Sequence, residues 1–156
     1  VYNNWLTDNA WWYANYGAFP AHGGKQPYSQ RRLLAKMIAE ADSCIALPHP
    51  GATLRFGHET MVMPLTCLMG LDGYDLVTDD LESLEAKGWH NYRIFPMGAN
   101  IQIVFYRKDE TDKDVMVKVL LNENEATLPI KTDSAPYYHW SEVRKYYTDK
   151  LSAFEY

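Results

Sequence analysis

His58 and Glu59 are adjacent side chains that could together handle a charged, reacting oxygen. An imidazole N–H can hold an oxyanion, and a neighbouring carboxylic acid can give a proton to a leaving group. A zinc site of the His-Glu-x-x-His kind would need a second histidine at position 62, which is Val62, so that chemistry fails. Gly23-Gly24-Lys25 has the glycines and the cation of a phosphate loop without its spacing, and His22 beside it reads as a solvated side chain. No Gly-x-Ser-x-Gly elbow occurs, and His49, His90 and His139 stand apart from any nucleophile pattern. On residue types alone, His58-Glu59 reads first as two polar residues opening a helix, and the catalytic reading comes second.

The elements around the pair decide how much weight it carries. Ala52–Phe56 is a short, mostly apolar run between Pro50-Gly51 and Gly57, which predicts a buried central strand. From Met61 to Leu71 the apolar residues become nearly continuous, which predicts a core helix over 60–70, about three turns long. The pair thus falls at the carboxyl end of a strand and the amino end of a helix, where open α/β sheets bind ligands and free N–H groups favour anions. Upstream, Ser29 is expected to cap an amphipathic helix over 29–46. Its apolar face is Leu33, Leu34, Met37, Ile38, Ala41 and Ile45. Downstream, Asn100–Arg107 and Val115–Leu121 read as an antiparallel hairpin across a polar loop, Lys108–Asp114. A turn at Asn122–Glu125 and a short strand ending near Pro129 follow. A last helix over 141–154, capped by Ser141, presents Val143, Tyr146, Tyr147, Leu151 and Phe154 on one face.

Three stretches are open to two readings. Val1–Tyr16, with Tyr2, Trp5, Trp11, Trp12, Tyr13 and Tyr16, is either a helix packing large rings or an aromatic platform for a sugar. Asp72–Lys87 carries six carboxylates without the spacing of a calcium loop, and reads as a solvated loop with a short helix capped by Asp79 or Asp80. Cys44 and Cys67 are expected as free buried thiols, a disulfide being the alternative in an oxidising compartment.

The totals suit one globular domain: 156 residues, 47% hydrophobic, 22% charged and a net charge of −5. That charge argues against a nucleic-acid surface, and no apolar run approaches the roughly twenty residues that cross a bilayer. The chain opens on Val1 without a leader-like stretch, so a processed product or part of a longer protein is expected.

With these elements in view, Leu54-Arg55-Phe56-Gly57-His58-Glu59-Thr60 followed by an apolar helix resembles the second signature of the histidine acid phosphatases. These form branch two of the histidine phosphatase superfamily. The likeness is strongest to its phytase and multiple inositol polyphosphate phosphatase-like members. It extends to Pro96-Met97-Gly98-Ala99-Asn100, to the hairpin at 117–129 and to the segment 131–147. The resemblance implies an α/β fold of the phosphoglycerate mutase-like kind, a mixed sheet flanked by helices, of which residues 1–156 would be the carboxyl-terminal portion. It implies His58 as a phosphate ligand, Glu59 as the proton donor and Thr60 as a substrate contact, with no metal or other cofactor. The partner would be a phosphomonoester, with inositol phosphates foremost, and the location periplasmic or secreted.

One departure matters. The family's nucleophilic histidine and its phosphate-clamping arginines come from an Arg-His-Gly-x-Arg-x-Pro signature, and no Arg-His-Gly occurs between Val1 and Tyr156. The chain is therefore expected to hold half of a site, to be inactive alone, and to expose sheet edges that invite a homodimer. The rival expectations are a carbohydrate-binding module and a pseudoenzyme.

Overall fold

The structure, a computed structural model, describes residues 2–154, with side chains from residue 7 onward. Tyr2 and Trp5 of the aromatic opening thus lie outside the described side chains. The described residues form five α-helices: α1 (Tyr2–Tyr16), α2 (Arg31–Ile45), α3 (Glu59–Met69), α4 (Asn91–Ile94) and α5 (Trp140–Ser152). A small sheet holds β1 (Ile101–Tyr106), β2 (Met116–Leu121), β3 (Asn124–Ala126) and β4 (Tyr138–His139).

The hairpin forms where alternation predicts it. Ile101 faces Leu121 and Tyr106 faces Met116, all antiparallel. Val117, Val119 and Leu121 of β2 are buried, while Ile101, Ile103 and Phe105 of β1 pack against the same core. β3 returns through a two-residue turn, Asn122-Glu123, in which both residues have positive φ, 51° and 69°. Paired positive φ matches the right-handed twist of the flanking strands. The Asn122 side chain fastens the turn: its Oδ1 accepts the Asn100 N–H, and its Nδ2 donates to Arg93 O at 2.7 Å. The turn is therefore shorter than the four residues expected. Among the described residues the sheet is antiparallel throughout.

α2 and α5 lie where their periodicity predicts, and α3 where its nearly continuous apolar run does. Leu34, Ile38 and Ala41 of α2 are buried, and so are Val143 and Tyr147 of α5. The serine caps are not found. Ser29 sits inside a 3₁₀ turn, Gln26–Gln30, that runs directly into α2, and Ser141 lies within α5 behind His139. Each hydroxyl is already inside helical backbone, one residue or more past the point where a cap could reach the first N–H groups. Asp80 precedes a 3₁₀ turn, Leu81–Ser83, without a side-chain cap bond, in place of the short helix expected there. The short α4 carries no periodic pattern and was not foreseen; Asn9 Oδ1 of α1 accepts the Asn91 N–H at its start.

Ala52–Phe56 corrects a larger expectation. These residues form no ladder with any strand, and all five are exposed, Leu54 at 75% and Phe56 at 94%. A strand is defined by its neighbour, and none of the described residues pairs with this segment. It is held instead from one side. Arg55 ion-pairs with Glu40, and Thr53 Oγ1 meets Cys44 Sγ at 3.7 Å, both partners on α2. Residues 53 and 55 thus face α2, which leaves the alternate residues Leu54 and Phe56 outward.

Both cysteines are free. Cys67 is buried, and loss of solvation pushes its thiol up to about 12. Cys44 is exposed, against expectation, because it falls off the apolar face of α2. A neutral-pH thiol reagent should therefore modify one cysteine in the folded chain and two in denaturant, since the thiolate is the reactive form. Mass mapping that finds Cys67 modified first would contradict this packing.

His139 adds a pH-dependent tie between three segments. Its Nδ1 lies 2.7 Å from Asp114 Oδ1 and its Nε2 lies 3.8 Å from Asp133 Oδ1. The Asp114 hydrogen bond raises its pKa above 6.5, and the charges of Asp114, Glu142 and Asp133 add to that. A raised folded-state pKa stabilises the fold fully below the unfolded value and ceases to do so as pH climbs through the folded one. The urea midpoint should fall over that window above 6.5, and His139→Gln should flatten it there. His90 works in the opposite sense, because burial lowers its pKa. Its cost appears as pH drops below 6.5, so that limb should persist in the His139→Gln variant.

Candidate functional site at the amino end of α3

α3 is built in two halves. Met63 to Met69 are all buried, whereas Glu59, Thr60 and Met61 are exposed. Pro64 lies within the helix and has no N–H to offer the Thr60 carbonyl. That carbonyl belongs to an exposed residue, so water can take the place of the missing donor. Gly70, at φ +67°, closes the helix in the left-handed conformation that glycine adopts freely. A Cβ there would also meet Asp75 Oδ2 at 3.0 Å and Pro129 Cγ at 3.2 Å.

His58 is the residue immediately before the helix, in extended conformation (φ −108°, ψ 167°). Its carbonyl accepts the N–H groups of Met61 at 2.9 Å and Val62 at 3.2 Å, while its ring makes no capping bond. The first N–H groups of a helix have no partner within it. Here neither the imidazole nor another described side chain covers those of Glu59 and Thr60. The helix dipole favours negative charge at this end. The imidazole, the carboxyl and the Thr60 hydroxyl thus stand at solvent around an end that suits an anion.

The structure brings His58, Glu59 and Thr60 together as sequence neighbours at one helix start, exposed as the site requires. It does not build the facing wall. Arg55, the cation of the same signature, is turned to Glu40 on α2. Two surface clefts are found elsewhere. One, of about 240 Å³, is lined by Asp42, Lys113, Asp114, Trp140 and Arg144. The other, of about 420 Å³, is lined by Tyr74, Tyr92, Arg93 and Asn122. Neither includes a residue from 58 to 60.

Other candidates lose their chemistry to the fold. The Gly23 and Gly24 N–H groups donate to Pro20 O and Phe19 O, so they do not form an anion cradle. Trp12 stacks on Tyr16 and packs against Phe95, and Tyr13 is fully buried, with its hydroxyl between Leu76 O, Thr78 O and Thr78 N–H. Among the described rings of the opening cluster, Trp11 keeps the most open surface, at 53%. Asp72 accepts the Thr127 N–H and hydroxyl, and Asp80 pairs with Lys87. No described helix is long and apolar enough to cross a membrane.

Two contacts that hold α3 escaped the sequence reading. Tyr147 and Lys150 of α5 donate to Met69 O and Leu68 O, each at 2.7 Å, at the far end of α3. Periodicity placed Tyr147 on a buried face but could not name the carbonyl that its hydroxyl meets.

Comparison with known proteins bears on the family and the fold. Residues 1–122 match the histidine phosphatase superfamily (branch 2). The fold resembles Bifidobacterium longum multiple inositol polyphosphate phosphatase solved in complex with inositol hexasulfate. The TM-score is 0.63 and the identity 25%, over 80% of this chain and 27% of that one. The apo form of that enzyme superposes with a TM-score of 0.71 at 23% identity, over 87% of this chain and 30% of that one, and speaks for the fold alone. The chain spans less than a third of the length of these solved proteins. With a family match over more than three-quarters of its length and a fold shared with those structures, the chain belongs to branch 2 of the histidine phosphatase superfamily.

Proposed function

We propose that this chain supplies one wall of a phosphomonoesterase site, with His58 holding a phosphoryl oxygen and Glu59 protonating the departing alcohol. The observation that carries the reading is the exposed placement of both side chains at the amino end of α3, beside uncovered N–H groups. Phosphoryl transfer depends on positioning and on charge neutralisation of the equatorial oxygens. An imidazole and a helix terminus provide part of both. As a nucleophile from outside residues 1–156 bonds to phosphorus and the ester P–O bond breaks, the departing oxygen takes the proton of the Glu59 carboxyl. The leaving group thus departs as a neutral alcohol and Glu59 is left as a carboxylate. Thr60 adds a hydroxyl within the same turn.

The nucleophile is not among residues 1–156 in the family's Arg-His-Gly context. In this reading it comes, with its clamping arginines, from sequence preceding Val1, and the chain alone turns over no phosphate ester. The substrate is an inositol polyphosphate. The support is the neighbour's complex with inositol hexasulfate, whose sulfates occupy positions equivalent to phosphates on the same ring. A periplasmic or secreted location belongs to the same proposal and rests on the family alone.

The test uses the polypeptide that carries both signatures. Glu59→Gln should lower kcat on an alkyl phosphate by about 10²- to 10⁴-fold, the usual worth of a general acid. On nitrophenyl phosphate, whose leaving group departs without a proton, the loss should be much smaller. Equal losses on the two esters would remove Glu59 from the proton-donor role. His58→Ala should weaken inhibition by inorganic phosphate, and unchanged inhibition would remove it from the phosphate site. Turnover of nitrophenyl phosphate by residues 1–156 alone, at the rate of the longer protein, would defeat the half-site reading.

A further inference from the structure

The carboxyl end of α3 is closed with unusual completeness. A helix leaves its last four carbonyls without partners of its own, and here each one is met. The Gly70 N–H reaches Thr66 O and Cys67 O. Lys150 Nζ donates to Leu68 O and Tyr147 Oη–H to Met69 O, each at 2.7 Å. The two side-chain donors come from one helix, α5, across 82 and 78 residues of sequence. Tyr147 is 2% exposed, and Lys150 is half-buried, its pKa lowered by loss of solvation.

α3 therefore stands as a strut, with its foot in the core and its head, Glu59 to Met61, in solvent. At 1.5 Å per residue its length is about 16 Å. Apolar burial is non-directional, so it holds the foot inside without setting its height or rotation. Hydrogen bonds weaken steeply when misaligned, so two of them from a fixed helix do set both. We propose that Tyr147 and Lys150 are positioning residues for His58 and Glu59, acting through the length of α3. Neither residue touches a reacting atom, and the inference rests on the phosphatase reading of that pair.

The variants are Tyr147→Phe, Lys150→Met and Lys150→Arg. In the chain itself, amide exchange reads the strut directly. Met61 and Val62, whose N–H groups bond to His58 O, should exchange faster in the first two variants along with residues 66–70, and Lys150→Arg should restore them. Changes confined to 66–70 in a folded variant would overturn the proposal. Tyr147→Phe keeps the ring and decides the matter should Lys150→Met fail to fold.

In the polypeptide that carries both signatures, the same substitutions should lower kcat by about tenfold to a hundredfold, the scale of a small misplacement. KM should be nearly unchanged, and the loss should be larger on an alkyl phosphate than on nitrophenyl phosphate. An equal loss on both esters, or none, would count against positioning. His58→Ala and Glu59→Gln run alongside. If those two leave hydrolysis intact, the site assignment fails, while the exchange measurement still judges the strut.

Discussion

The seating of α3 is the constraint on which the rest of this structure depends. Two kinds of force hold it, and they differ in size and in direction. Met63, Leu65, Leu68 and Met69 are buried in the core cluster, and each such side chain contributes about 1.5–3 kcal/mol when taken from water. The hydrogen bonds at its carboxyl end are worth about 1 kcal/mol each in net terms. Burial thus decides that the helix stays, and the bonds decide where it stands. A buried carbonyl left without its donor would cost about 1–3 kcal/mol, which makes the alignment hard to surrender.

Much of this arrangement was readable from residue order. α2 and α5 appear where apolar spacing of three and four predicts them, α3 where a nearly continuous apolar run does, and the hairpin where period-two alternation does. Those signals are local: each depends only on which face of one element meets a core. The failures share the opposite property. Ala52–Phe56 has the composition of a strand, but strand formation is a relation between two segments, and the described residues supply none to pair with it. Ser29 and Ser141 are good cap residues displaced from the capping position by helical backbone that starts before them. Burial is the usual lot of a free thiol, yet Cys44 stands at an exposed position of an amphipathic helix.

The candidate site divides along the same line. His58 and Glu59 are legible because they are adjacent, and adjacency at a helix start is a local fact. What a site also needs, a facing wall and fixed geometry, comes from groups distant in sequence. Tyr147 and Lys150 meet α3 across a gap that no motif spans. The likeness to a solved inositol polyphosphate phosphatase, at 25% identity, speaks for the fold around the pair.

The pairing of Arg55 with Glu40 carries its own consequence. It joins a residue of the signature stretch to α2, so a change of charge at either position leaves the other side chain without its partner. Across related proteins, charge at 40 and charge at 55 would be inherited jointly: a lineage that lost the acid would shed the base as well, or reverse both. Arginine at 55 would then have an architectural reason to persist beside His58 and Glu59.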